Sequence, residues 1–556
     1  MKKYLLTMLV VAMLLGLANP LAAQNEMKPV LTISFSGYDE LMSSIAMFGR
    51  LGGNPDLDKG MDFMLQMATQ GRGLTGVDKS QPWGGAFMAD EQDQLKFYCF
   101  VPVTELKQVV ETGQAIQAIR DVELDGDVYK IQAGEQTLYA RQIGKWAFIC
   151  QDKETLSQVI DDPLKLLGEM PKNYALAFRA SAKNAPQSLR DQLLAQIRAG
   201  FELGMARTPG ETDEQYEFRT TAAKQSLEQL TTLFKETDEV MLGLKVDQSR
   251  NACYLDFELI ALEGTKLAEQ MSLMKPGKSK FGGFYLTEAA MTAGSIGAMA
   301  DSDVAQAKSG LAALRQSMVA WLGEQDISEQ DFKAVSTLLD SVVECLNKTV
   351  ETKKTDSGMS LLLDPKAVTL IAGLSIAGGD DLEKAVVDFI AELEKSDPES
   401  AKLFKLNAET YQEIRLHQFS MPSPDPKLEA MFGERFEAVL GITDDRLYFA
   451  AGRDAVKSLK EAMDRSKSLE DKEVPPTRVS LSAAPIAKFF AEVAPSHEVQ
   501  TIAGMLSTVL EEANGKDHLL LTATPVERGF RLRLELEEGL LKALSALGSQ
   551  LGGMAQ

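Results

Sequence analysis

The sequence predicts an α+β fold in two internally duplicated halves, each a mostly antiparallel sheet packed against amphipathic helices. Three observations carry this. Strands with two-residue alternation mix with 3.6-periodic helices without a regular β-α-β succession. Turn residues between neighbouring strands, such as Asp125-Gly126 between Val122 and Lys130, signal hairpins. Four strand or strand–helix signatures in residues 29–275 recur in the same order in residues 281–548.

The chain opens on Lys2 and Lys3, an apolar run from Tyr4 to Leu17, and the small residues Ala22 and Ala23 after Pro20. A charged start, a short apolar stretch and a small-residue site make a secretory signal peptide over 1–23, cut near Ala23. The brief cationic start has a bacterial character, so the expected destination is periplasmic or secreted. No later run approaches the roughly 18 apolar residues a membrane-spanning helix needs, so no transmembrane anchor is expected after cleavage.

The first repeated signature pairs Val30–Ser36, with Leu31, Ile33 and Phe35 on one face, with Gly283–Glu288. The second pairs Phe97–Val103 and its helix from Glu105 with Leu370–Ile376 and its helix from Asp381. The third pairs Trp146–Cys150 and a helix Thr155–Ile160 with Leu447–Ala451 and a helix Ala455–Met463. The fourth pairs Tyr174–Phe178 with Arg478–Ser482, then the hairpin Val240–Val246/Cys253–Ile260 with Leu519–Thr524/Phe530–Leu536.

The separations test this. Leu106 to Leu382 is 276, Phe148 to Phe449 is 301, Leu176 to Leu481 is 305 and Leu255 to Leu532 is 277. Two compensating insertions explain the rise and fall: one around Met421–Lys427, the other at Thr208–Gln215, both of loop composition. The expected organisation is therefore a first half over 24–276, a second over 277–548 and a flexible tail over 549–556. Amphipathic helices are expected over Gln187–Met205, Tyr216–Glu236, Val304–Leu322 and Phe332–Leu346, with stripes such as Leu189/Leu193/Leu194/Ile197 and Phe218/Ala222/Leu227.

Composition excludes more than it identifies. The formal charge of −22 becomes −24 without Lys2 and Lys3, which disfavours nucleic acid and anionic lipid as partners. Four cysteines in an oxidising compartment allow disulfides; Cys99, Cys150 and Cys253 fall on expected strands and Cys345 on a helix. Cys99–Cys150 is the preferred pair if one forms, against buried free thiols.

Motifs of catalysis and cofactor binding fail on context. Gly71-Arg-Gly-Leu-Thr-Gly76 spells a dinucleotide loop, but a helix precedes it and no helix follows, so a helix end and loop is the better reading. Gly277-Lys-Ser279 lacks the upstream glycine of a phosphate loop, since position 272 is Ser272. His417, His497 and His518 have no neighbour at metal-ligand spacing and are expected to be solvated or capping. Gly373-Leu-Ser-Ile-Ala377 reads as a strand rather than a nucleophile elbow. Asp380-Asp381 and Asp56/Asp58 sit where helix first turns begin, which accounts for their charge. No catalytic, cofactor-binding or metal residue is assigned, and no cofactor is expected.

Methionine stands out, with 24 residues. Met61, Met64 and Met67 gather on one short helix beside a helix bearing Leu41, Ile45 and Phe48; Met271, Met274, Met291 and Met299 lie near the junction of the halves. An ordinary core accounts for them, with an adaptable apolar groove as the alternative.

Gly76-Val-Asp-Lys-Ser-Gln-Pro-Trp-Gly84 and Phe100-Val-Pro-Val-Thr-Glu-Leu106 resemble a family of large, uncharacterised secreted proteins of planctomycete-type bacteria. The resemblance implies no activity, cofactor or catalytic residue. The leading expectation is a non-enzymatic secreted or periplasmic protein that binds a partner or builds the cell envelope. A carboxylate-based hydrolase with a site between the halves, and a carrier of an apolar ligand in a Met-lined groove, are the alternatives. N-terminal sequencing of the protein recovered from its native host should read from Gln24; retention of Met1 on the exported protein would refute the leader.

Overall fold

The structure is a computed structural model, and it describes residues 27–554 apart from 91, 92, 160, 161, 209, 326, 365, 366 and 424. The expected leader lies outside the described residues. The chain is mixed α+β and divides into two compact units, Met1–Leu267 and Ala268–Gln556.

In the first unit, strand β1 (Lys28–Phe35) is followed by a helical pair, α1 (Tyr38–Leu51) and α2 (Leu57–Ala68), then by β2 (Trp83–Ala89) and β3 (Leu95–Pro102). Helix α3 (Leu106–Ala115) leads to a meander, β4 (Arg120–Asp125), β5 (Val128–Ala133), β6 (Gln136–Ile143) and β7 (Trp146–Cys150). The short helices α4 (Leu164–Leu167) and α5 (Met170–Asn173) precede β8 (Leu176–Ser181). A second helical pair, α6 (Gln187–Gly204) and α7 (Asp213–Glu236), precedes the hairpin β9 (Thr237–Asp247) and β10 (Ala252–Ala261). All pairings are antiparallel, in the order β4-β5-β6-β7-β3-β2-β1-β8-β9-β10. The Asp125-Gly126 hairpin forms as expected, with Gly126 at φ 64°.

The division between units falls in α8 (Lys266–Leu273). The second unit then runs through β11 (Met291–Ala298), the helical pair α9 (Asp301–Gly323) and α10 (Glu329–Glu351), β12 (Lys354–Asp364) and β13 (Ala367–Ser375). Helices α11 (Gly379–Ser396) and α12 (Pro398–Ala401) lead to β14 (Phe404–Tyr411) and β15 (Ile414–Pro422). Helix α13 (Pro426–Phe432), β16 (Arg435–Thr443), β17 (Arg446–Gly452), helix α14 (Ala455–Leu469) and β18 (Thr477–Ser482) follow. The pair α15 (Ala483–Val493) and α16 (His497–Glu511), β19 (His518–Val526), β20 (Gly529–Leu536) and α17 (Glu538–Met554) complete it. The antiparallel order is β14-β15-β16-β17-β13-β12-β11-β18-β19-β20, strand for strand that of the first unit. Even the end strands share a device. β4 and β14 each carry a register break, with Asp121 and Asn407 in the left-handed region at φ 46° and 48°, which blunts an edge against further pairing.

Two expectations need correction. Gly283–Glu288 is a turn rather than a strand, and the strand that occupies the place of β1 is Met291–Ala298. The reason is burial: Phe281, Phe284 and Leu286 lie on the sheet beside Ile371 and Tyr448, so their apolar pattern reports a plug, not a strand. The length differences between halves are also mostly helical rather than loop. The pair α6/α7 is longer than α15/α16, and α11 is longer than α3, with α13 added. The side chains of Phe218 and Ala222 lie outside the described residues.

Both faces of the central strands are covered. In the first unit Tyr98, Phe100, Phe148 and Cys150 pack under Leu156, Leu166, Leu167 and Met170, while Val101, Ala147 and Ile149 meet Leu106 and Val110 of α3. In the second, Ile371, Tyr448 and Ala450 pack under Leu459, Ala462 and Met463 of α14, while Leu374, Ile442 and Leu447 meet Leu382 of α11 and Cys345 of α10. The Phe281 plug needs a missing side chain beneath it. A Cβ on Gly373 would stand 2.2 Å from the Phe281 ring, whereas one on helical Gly504 would meet nothing within 4 Å. Gly373→Ala should therefore cost about 1–3 kcal/mol by overpacking, and Gly504→Ala should add about 0.5–1 kcal/mol, both read from urea midpoints.

Candidate functional site

Ionisable groups gather at several places among the described residues, and at four of them the arrangement closes on itself. On α11 and β15, buried Glu383 accepts from Arg415 through both carboxylate oxygens, at 2.8 Å from Nε, and lies 3.0 Å from His417 Nε2. The Asn407 amide donates to His417 Nδ1 at 3.4 Å, so the proton sits on Nε2 and points at Glu383. Burial alone would push the Glu383 carboxyl up; the Arg415 and His417 hydrogen bonds outweigh it and hold it below the ordinary range. His417 is thus buried, contrary to the expected solvated or capping role. Sequence patterning missed it because its partner is 34 residues away on another element.

At the start of α15, Ser482 Oγ donates to Asp517 Oδ2 at 2.6 Å, and the Ala484 amide donates to the same oxygen at 2.7 Å. Asp517 therefore caps the helix from outside it. His518 follows, with Nδ1 2.9 Å from Glu537 Oε2 and Nε2 3.1 Å from the Thr287 carbonyl. Serine, aspartate and histidine meet here in an order that does not activate the serine. The hydroxyl donates to the carboxylate, and both imidazole nitrogens face acceptors, so no lone pair is free to take the serine proton. His497, by contrast, is exposed at the first turn of α16.

Two polar cavities accompany the remaining clusters. One, of about 270 Å³, includes Ser341, Glu344, Cys345, Lys348 and Asp381. Lys348 spans Asp381 at 2.9 Å and Glu344 at 3.1 Å; its ammonium is raised and the Asp381 carboxyl lowered, chiefly by their mutual hydrogen bond. Asp380 and Asp381 occupy the first turn of α11, as expected. The other cavity, of about 410 Å³, includes Glu437, Lys457, Lys460 and Asp464. There the Tyr411 hydroxyl donates to Asp464 at 2.7 Å, and Lys460 pairs with Glu409. Neither cavity has a methionine in its wall.

The first glycine motif falls as its context predicts, and the second is a paired strand rather than a phosphate loop. Gly71, Gly73 and Gly76 all have positive φ in the turn after α2, and a bridge from Val77 to Val103 follows instead of a helix. Gly277 and Lys278 form a two-residue ribbon with Glu473 and Val474, and Ser279 donates to Asp356. Asp56 occupies the N-cap position of α2 without a side-chain capping bond, its carboxylate pairing instead with Lys59 at 2.6 Å. Among the described residues no group of three or more His, Cys, Asp or Glu could hold a metal ion, and no helix is long and apolar enough to cross a membrane.

All four cysteines are free. The Cys99–Cys150 pairing is ruled out by register: Cys150 stands opposite Tyr98 and Cys99 opposite Ile149, so the two thiols point to opposite faces of the sheet. Burial pushes both up to about 12, and it raises Cys253 and Cys345 as well, so none is a ready thiolate.

What remains open is apolar. Phe63, Met64 and Met67 of α2 are 65%, 43% and 68% exposed, and α2 buries no residue. Leu41 and Phe48 of α1 are exposed beside it. The core expected for Met61, Met64 and Met67 does not form, because α1 alone supplies the buried Met47 and Ser44 of this pair. The corresponding helical pair of the second unit shows Leu314, Met318 and Trp321 of α9, spaced i, i+4, i+7, again exposed. No protein family, curated protein or solved structure matches the chain.

His518 yields a pH test. Burial lowers its pKa, but the bonds to Glu537 and Thr287 and the charges of Asp517 and Glu537 outweigh it, so the folded value is raised above the ordinary one of about 6.5. The stabilisation is complete below about pH 6.5 and is lost as pH rises through the raised folded value. His518→Gln should cost about 1–2 kcal/mol at pH 5.5 and less at pH 9, measured by urea unfolding. An equal cost at both would disprove the charged clamp.

Proposed function

We propose that this protein is a non-enzymatic binding protein, exported to the periplasm or medium, whose two units descend from one duplicated ancestor. Its helical pairs present apolar faces to a polypeptide partner in the cell envelope. The carrying observation is that the pair inserted after the first strand exposes large apolar side chains in both units: Phe63, Met64 and Met67 in one, Leu314, Met318 and Trp321 in the other. Scattered exposed apolar residues need no explanation, whereas clusters of them on the corresponding helical pair of both units, on its second helix in one and its first in the other, do. The identical strand order supports common descent. The hydrolase alternative has less support, since Glu383, Asp381 and Asp464 are each engaged by hydrogen bonds from a neighbouring residue. The carrier alternative lacks a methionine-lined cavity among the two described.

Titration with a fluorescent apolar dye tests the reading. The native protein should enhance its emission, and a Phe63→Ser/Met67→Ser/Met318→Ser/Trp321→Ser variant should lose at least about half of that signal with its circular dichroism unchanged. No enhancement by the native protein would sink the proposal.

A further inference from the structure

We infer that the face formed by α1 and α2 receives a basic amphipathic segment of a partner protein, its apolar side on the methionines and its cations on the surrounding carboxylates. This rests on the binding reading above and adds the chemistry of the occupant. Helix α2 is amphipathic in sequence yet buries nothing, so its apolar side chains contribute little to the core and are free to meet another surface. Phe63 supplies a rigid anchor, while Met64 and Met67 adapt to the shape placed on them.

Charge selects the occupant. Residues 38–68 hold five carboxylates, Asp39, Glu40, Asp56, Asp58 and Asp62, against Arg50 and Lys59. Lys59 is taken by Asp56, and Asp62 accepts from the Tyr38 hydroxyl at 3.0 Å. Lys79 lies over the Tyr38 ring, 5.0 Å from its centre, at the rim of this face. Among the described residues Asp39, Glu40 and Asp58 have no cation at ion-pair distance, so the helices that carry the exposed methionines also carry uncompensated negative charge. A second copy of this chain would bring the same carboxylates against themselves, and an anionic bilayer would be repelled likewise. A partner helix with Lys and Arg flanking an apolar stripe satisfies both halves of the face at once.

The test uses two labelled synthetic peptides with one apolar face, one carrying Lys and Arg on its polar side and the other Glu. Fluorescence anisotropy with the purified protein should show the basic peptide binding at least about tenfold more tightly, with affinity falling as salt rises. Phe63→Ser/Met67→Ser should weaken it about tenfold, and Asp39→Asn/Asp58→Asn should weaken the basic peptide while leaving the acidic one unchanged. Equal binding of both peptides would overturn the basic class but keep the binding reading. Failure of both peptides would overturn the inference, and the dye titration would then decide the binding reading separately. Self-association in sedimentation velocity that Phe63→Ser/Met67→Ser abolishes would give the face to a second copy and overturn it too.

Discussion

Strands that bury both faces at once govern each unit. In β3, Tyr98 and Phe100 point to one core while Val101 points to the other, and β7 answers with Phe148 and Cys150 against Ala147 and Ile149. A one-residue slip would exchange the two sets and place aromatic rings where small residues fit, so register is strongly specified. The second unit meets the same demand with glycine: Gly358 leaves room for the Phe281 backbone over β12, and Gly373 for its ring over β13. The position of every covering helix, and the separation of Cys99 from Cys150 onto opposite faces, follows from this two-sided burial.

The same burial sets the electrostatics. Carboxylates taken below the surface are stable only with cations or donors in contact, and the structure supplies them locally. Glu383 has Arg415 and His417, while Asp517 has the Ser482 hydroxyl and a helix amide. Groups held this way are spent on the fold. Removing one partner leaves a buried charge uncompensated, which is costlier than the net worth of the pair.

Of the helical pairs inserted after the first and eighth strands, some members join the core, as α10 does through Leu339, Val343 and Cys345, while others escape the two-sided constraint. Helix α2 is amphipathic yet buries no residue, and α9, whose apolar residues are spread around the helix rather than gathered on the stripe expected over Val304–Leu322, buries only Leu322 along its described length. Helices that bury so little contribute little to the core, and their exposed faces are free to carry recognition.

Alternation and helical period, read from residues alone, determined the α+β class, the antiparallel hairpins and the strands of three of the four repeated signatures, because those patterns are local consequences of side-chain direction. They also located Asp380-Asp381 and the Gly71–Gly76 turn correctly, since capping and turn chemistry act over a few residues. Tertiary structure decided the rest. Phe281–Leu286 has a strand-like pattern but plugs a core, because Gly358 and Gly373, more than 70 residues away, make room for it. Met61, Met64 and Met67 have the pattern of a core face, yet among the described residues no core closes over them and all three stay exposed. His417 found Glu383 only through the packing of α11 on β15. Periodicity states that a face is apolar; only the three-dimensional packing states whether another surface within the chain has closed over it.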